Sequence, residues 1–252
     1  MKPALRNNAG VALLMVLWVV AALSLFVASL GQTVRSEAVL TGVARNLVQG
    51  RAYGEAAIYQ ALAKIKFENK IPDVQIVWVQ NWQDIPIDVE ITPWNGLVNI
   101  NGASLEMLSL LLEKAAVLPR TQAQQHAQNM LDVRTQWRAK GMPWESVEDI
   151  LQVTGIHYPV FESIRPYLVA EKDMRSTVSI NAAPQLLRHW MEERGLGSGQ
   201  SGTSSFIRML AKVPFEADGY VTVERHYLVR PNAVGDDAWT LVASSQHWHK
   251  NQ

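Results

Sequence analysis

Apolar side chains run almost unbroken through "GVALLMVLWVVAALSLFVASL", Gly10 to Leu30, and no charge falls between Arg6 and Arg35. As a helix, the roughly 20 residues from Val11 to Leu30 span about 30 Å, the depth of a bilayer's hydrocarbon core. About a dozen of them are Leu, Val or Phe, each favouring insertion by roughly 0.3 to 0.6 kcal/mol, so the run is expected to enter a membrane. Lys2 and Arg6 ahead of it favour a cytoplasmic N-terminus with the bulk of the chain outside. Past Gln32 the helical pattern continues. Leu40, Val43, Leu47, Gly54, Ile58, Ala61 and Ile65 recur mostly three or four apart, with a break near Gly50, and form one stripe of an amphipathic helix. Arg35, Glu37, Arg45, Arg51, Glu55 and Lys64 lie mainly off it. The expectation is a single helix over residues 11–68, transmembrane over 11–30, with Gly31, Gly42, Gly50 and Gly54 each weakening it by up to about 1 kcal/mol. Ser29-Leu30-Gly31 is a weak signal-cleavage site, and the run is longer than a usual signal core.

Pro72-Asp73 ends the helical pattern. "VQIVWVQ" (Val74 to Gln80) and "IDVEI" (Ile87 to Ile91) predict two strands in a hairpin-like pair. Strand signals return in "YVTVERHYLVR" (Tyr220 to Arg230) and "AWTLVASSQ" (Ala238 to Gln246), around the turn-rich "PNAVGDD". The intervening sequence is helical, which predicts an α+β fold whose antiparallel sheet is split by an all-α insertion. "GLGSGQSGTSS" (Gly195 to Ser205) has the composition of a mobile loop. An internal echo links "VNINGASLEMLSLLL", from Val98, to "VSINAAPQLLRHWM", from Val178. Each reads as a short extended piece, an Asn, then a helix whose start is signalled by Ser104 or Pro184. Two copies are too few for a solenoid.

The 252 residues, 48% hydrophobic, suffice for one medium domain or two small ones. The balance of 23 basic and 23 acidic residues argues against a nucleic-acid or polybasic membrane-surface protein. The absence of cysteine removes disulfides, thiol catalysis and Cys-based zinc sites. No nucleophile elbow, HExxH or P-loop occurs, so no enzymatic activity is expected. His247-Trp248-His249 has two potential metal ligands but no third nearby, and reads as a frayed polar tail. Asp218, Asp236 and Asp237 are weak calcium candidates without EF-hand spacing, so no metal or other cofactor is assigned. Of the nine tryptophans, Trp18 lies in the apolar run, Trp78, Trp82 and Trp94 near the first strands, and Trp137 and Trp144 in the insertion; most are expected in the core, and an exposed pair would suit a protein contact.

A short basic leader ending in Gly10, then an apolar helix passing into an amphipathic one, resembles the class III signal of type IV pilins and pseudopilins. The resemblance implies that a prepilin peptidase removes residues 1–10, cutting between Gly10 and Val11, that the new N-terminus is methylated, and that the apolar run is kept. Most family members carry Glu at the fifth mature position; here it is Met15. "GVALLMVLWVVAALSLF", lacking that acid, resembles the K-type minor pseudopilin of the type II secretion system, and the two helix leaders are similar to "N-x-N-x-A-P/S" segments of that group. The resemblance implies a pilin-like body over 69–96 and 174–252 and an inserted helix-hairpin-helix or SAM-like α-domain over 97–173. It implies a single-pass protein of the bacterial inner membrane with its body in the periplasm. Its partners would be the I- and J-type minor pseudopilins, the major pseudopilin, the peptidase and the inner-membrane secretion platform. Its role would be to start or cap the pseudopilus that exports folded proteins across the outer membrane, and calcium is a metal reported in the group. An isolated charge in hydrocarbon is costly and a paired one much less so. A subunit with an amine but no acid can therefore be accepted by a neighbour's Glu without returning the contact, which suits an end of the polymer. A plain single-pass anchor is the alternative for the segment taken alone.

The insertion supplies a rival reading. "GMPWESVEDILQVTGIHYPVFESIRPYL" (Gly141 to Leu168) resembles the helix-hairpin-helix repeats of competence-type DNA-binding proteins. In those repeats a Gly-rich turn presents backbone amides to a phosphate. Here the turn is Gly155-Ile156-His157, and the first hairpin, "LEKAAVLPRTQAQ", has no Gly. Arg120, Arg134, Arg138, Lys140 and Arg165 are offset by Asp132, Glu145, Glu148, Asp149 and Glu162, which leaves little counterion-release drive. The hairpins are therefore expected to serve packing or protein contact, with no nucleic acid bound.

Overall fold

The expected helix forms as one element, α1, Ala9–Glu68. The computed structural model describes residues 9–249 apart from 83, 154, 174, 199–201, 203, 216–218 and 234, and describes no side chains at 9–13, 28, 30–36, 38–39 and 235–236. The helix passes from a first unit, residues 1–49, into a second, residues 50–252. In the first unit the large apolar side chains from Leu14 to Val27 are 55% to 76% exposed. The Ser24 hydroxyl donates to the Val20 carbonyl at 2.8 Å, so it is satisfied within the helix. Among the described residues no helix is long and apolar enough to cross a membrane. Of the expected 11–30 span, the side chains at 11–13, 28 and 30 lie outside the described residues.

The second unit is built around a five-stranded antiparallel sheet in the order β1 (Ile76–Trp82), β2 (Ile85–Pro93), β5 (Phe206–Phe215), β6 (Gly219–Val229) and β7 (Trp239–His249). The two predicted strand pairs are present, and β5 is an additional strand. Ile207, Met209, Ala211 and Val213 alternate as a half-buried strand should. Pro214 falls beyond the stretch paired with β2, so its missing N–H costs that ladder nothing. The last strand runs to His249 and pairs His247 with Thr222 and His249 with Tyr220, so the expected frayed tail is an ordered strand end.

Register sorts the sheet into two faces, because residues directly opposite across a ladder share a face. Val89, Ala211 and Val223 form one such row, and Ile91, Met209 and Arg225 the next. This face packs on the C-terminal part of α1, where Ala57, Ile58, Ala61, Leu62 and Ile65 are fully buried. Ile58, Leu62 and Ile65 each contribute roughly 1.5 to 3 kcal/mol by leaving water. Gly50 and Gly54 are the points of closest approach: a Cβ on Gly50 would lie 2.6 Å from Val221 Cβ, and one on Gly54 2.6 Å from Val223 Cγ2. These two glycines let the helix lie against β6. At the end of α1, Lys66 Nζ donates to the carbonyls of Pro231, at 3.0 Å, and Ala233, tying the helix to the β6–β7 connection.

The opposite face carries the inserted helices α2 (Leu105–Lys114), α3 (Arg120–Ala139), α4 (Tyr158–Ile164) and α5 (Gln185–Arg194), with a short parallel pair, β3 (Val98–Asn99) and β4 (Leu168–Val169). Their core centres on Leu108, Leu111, Met130, Trp144, Ile150 and Phe161. It also takes in Val178, Leu187 and Met191, beyond the expected limit of the insertion at residue 173. The sequence echo is an echo of structure. The Ala103 amide donates to the Asn99 carbonyl at 2.8 Å, and the Ala183 amide to the Ser179 carbonyl at 3.0 Å, making the same turn before α2 and before α5. Ser104 caps α2 by accepting from the Met107 amide.

The two asparagines of the first copy close the base of the insertion. Asn99 Oδ1 accepts from the amides of Asn101 and Glu171, both at 3.1 Å. Asn101 Nδ2 donates to the carbonyls of Trp144 and Glu171, and its Oδ1 accepts from the Trp144 amide at 3.1 Å. Asn101 is 2% exposed. Asn101→Ala would leave buried backbone groups unpaired and is expected to lower stability by about 2 kcal/mol. Its counterpart Asn181 is exposed, so Asn181→Ala should change stability by less than about 0.5 kcal/mol. Urea midpoints of the two variants measured side by side check the difference.

Candidate functional site

Three surfaces follow from this arrangement: the stem, the outward face of α1, and the seat of the insertion on the sheet. Gly10, Val11 and Met15, the expected processing and acid-lacking positions, all lie in α1. Met15 is 67% exposed, while Val11 lies outside the described side chains. Further along, α1 turns Ala52, Ala63 and Phe67 away from the sheet, with Phe67 90% exposed, and leaves the Tyr59 ring half exposed while its hydroxyl meets that of Tyr227 on β6. Their spacing of mostly four places them on one side of the helix, opposite the buried stripe. In the first unit Leu40, Ala44 and Val48 keep a four-residue spacing and are also exposed. A helix in water alone gains nothing from such a ladder. It suits contact with another apolar surface.

The insertion meets the sheet through charge and hydrogen bonds. Trp94 Nε1 donates to His226 Nδ1 at 3.0 Å, and the two rings meet edge-on. Indole has only a donor, so the imidazole proton sits on Nε2, which donates to Glu224 Oε1 at 2.7 Å. Ser245 donates to the other carboxylate oxygen at 3.2 Å, and Arg165 Nη2 lies 3.6 Å from it. Arg165 also contacts His247 Nε2 at 2.7 Å. Beside them, Arg208, 4% exposed, donates to Glu90 at 3.2 Å and to the Pro166 carbonyl. Arg165 and Pro166 thus tie the insertion to β2, β5, β6 and β7. The polar alternation of Thr222, Glu224 and His226 was a readable sign that this face of β6 meets something hydrophilic. Nothing in the local pattern marked Arg165 or Trp94 as its partners.

Burial pushes the Glu224 carboxyl up, but the His226 hydrogen bond and the Arg208 and Arg165 charges outweigh it and bring it from 4.5 down to about 2. A carboxylate with a lowered folded value stabilises the fold above its unfolded range, and that contribution is lost as pH falls from about 4.5 through about 2. It amounts to something on the order of 3 kcal/mol. Glu224→Gln should therefore be clearly less stable than the parent near neutrality, with the gap closing toward about pH 2. Thermal unfolding followed across that range checks it.

The predicted hairpin turn is closed off. Gly155 has φ +92°, and a Cβ there would lie 2.4 Å from His126 Cε1, so the His126 ring packs against the turn that would otherwise cradle a phosphate. Two of the insertion's basic residues are engaged internally: Arg134 donates to the carbonyls of Ile100 and Ala103, and Arg138 to that of Asn101. In the first hairpin Val117, 82% exposed, takes φ +54° at the glycine-less turn between α2 and α3. Of the calcium candidates, Asp218 lies outside the described residues, Asp236 has no described side chain, and Asp237 is exposed in the short 3-10 turn Gly235–Ala238. Among the described residues no three His, Asp or Glu side chains converge as metal ligands. His249 stacks on Tyr220 at 4.7 Å, and His247 faces Arg165.

The C-terminal part of α1 laid on one face of an antiparallel sheet, with a mainly helical domain inserted between its second and third strands and seated on the other face, defines the architectural class of the second unit. Among solved structures the chain matches a chain of the GspK–GspI–GspJ complex from the enterotoxigenic Escherichia coli type 2 secretion system. The TM-score is 0.51 at 10% identity, and the match covers 83% of this chain and 99% of that one. The chain therefore has a GspK-like fold. No protein-family model matches the sequence, and no curated protein matches it.

Proposed function

We propose that the protein is a K-type minor pseudopilin of a type II secretion system, acting at the tip of the pseudopilus to start or cap its assembly. The observation that carries this reading is the GspK-like fold, in which a helical insertion sits on the sheet face opposite the stem. The uncovered apolar ladder on α1 supports it, because a neighbouring stem would cover Ala63 and Phe67. On this reading Val11 to Leu30 spans the inner membrane, the body lies in the periplasm, and I- and J-type minor pseudopilins pack beside the stem. The role is non-catalytic and needs no cofactor. With Met15 in place of an acid, the subunit pairs its amine with a neighbour's Glu but offers no carboxylate in return.

Mass spectrometry of the mature protein, expressed with a prepilin peptidase, tests this directly. A chain beginning at N-methylated Val11 is the expected result. An intact Met1, or a start near Gln32, would overturn the reading. Met15→Glu should still insert but alter fibre length or tip assembly, and unchanged fibres and secretion would remove the amine-pairing argument.

A further inference from the structure

β7 is the last strand in sheet order, and its residues Thr240 to Ser244 are exposed one after another. Neither a charge nor a proline guards that stretch, although these are the usual means of keeping an edge strand from pairing. A bulge opposite His226/Tyr227 leaves Val242 without a partner on β6. Val242 instead lines a cavity of about 160 Å³ between β7 and the insertion, the kind of re-aiming that bulges perform. Val147 and Leu168 give the cavity apolar walls, and Glu145, Glu148 and Glu224 outnumber Arg165 around it. Arg165 is already engaged with Glu224 and His247, and it lies 3.8 Å from Glu148. The cleft is thus left negative at its exposed rim, where Glu145 and Glu148 stand.

We propose that β7 accepts an extended segment of another polypeptide as an added strand, and that a Lys or Arg of that segment enters the cleft. Strand addition supplies main-chain hydrogen bonds along an edge that lacks them. Alternate side chains of the added strand fall on the insertion side of the sheet. There the apolar walls cover the methylene stem of a long basic side chain while its cation reaches Glu145 and Glu148. A carboxylate in the same place would face like charge. This recognition depends on no secretory role, so it stands or falls separately from that reading.

The test uses full-length protein in detergent micelles and a fluorescent seven-residue peptide alternating Thr and Val around a central Arg. Saturable binding is expected, about tenfold or more weaker when the central residue is Glu. The double variant Glu145→Lys/Glu148→Lys should lose the preference for Arg, and Val242→Trp, which plugs the cleft from the strand side, should weaken binding of the Arg peptide. Unchanged circular dichroism and melting establish that each variant is folded, and Glu145→Gln/Glu148→Gln serves as a milder second pair. Bound peptide should slow amide exchange at Thr240 to Ser244. Equal binding of the Arg and Glu peptides, no saturable binding to the parent, or protection confined elsewhere would each overturn the proposal.

Discussion

Glu55→Ala is expected to cost on the order of 3 kcal/mol, because it strands a buried guanidinium. Arg225, 5% exposed on β6, donates to Glu55 Oε1 at 2.5 Å and to the carbonyls of Glu224 and Ser245 at 2.8 and 2.9 Å. Glu55 also receives Arg51 at 3.1 Å, but that partner is exposed, so Arg51→Ala should cost less than about 1 kcal/mol. Burial pushes the Glu55 carboxyl up, and the two arginines more than offset it, holding it below the ordinary range. Its contribution is therefore present near neutrality and fades in acid. Replacing both partners, as in Glu55→Met/Arg225→Met, should restore much of the loss, because apolar side chains leave no orphaned charge. A denaturation cycle over the two single variants and the double variant measures the coupling. If Glu55→Ala proves as mild as Arg51→Ala, the ion pair does not hold α1 to the sheet.

Gly54→Leu is expected to cost about 3 kcal/mol or more through overpacking. Its Cβ alone would stand 2.6 Å from Val223 Cγ2 and 2.9 Å from Val223 Cβ, with Ala211 close behind, so the helix must lift from β6. Gly42, on the same helix, has nothing within 4 Å of its would-be Cβ. Gly42→Ala should instead stabilise the helix by up to about 1 kcal/mol. Opposite signs for two glycines twelve positions apart can be read from melting temperatures, and a stabilising Gly54→Leu would contradict the close packing described above.

Much of the fold was legible in the sequence. The three-and-four spacing through Ile58, Ala61 and Ile65 located the buried stripe of α1, and alternation located β1, β2, β6 and β7 within a few residues. The echo of "VNIN" and "VSIN" announced two matching turns. Other readings changed with the structure. Gly50 and Gly54 looked like weak points in a helix, and they are contact points, because only a neighbouring strand reveals what a missing Cβ admits. The terminal His-Trp-His looked loose, and it is paired along β6. β5 was hidden by the Gly/Ser-rich sequence before it and by Pro214 within it.

The chain by itself settled where helices and strands lie and which of their faces are apolar, because hydropathy periods are set within a turn or two of a residue. Tertiary structure alone decided the polar seat of the insertion and the ion pair under α1. Trp94 meets His226 across 132 positions and Arg225 meets Glu55 across 170, and such partnerships leave no trace in a local period. They exist because the sheet brings distant segments into one register, so that a carboxylate or an indole costly to bury alone finds its complement.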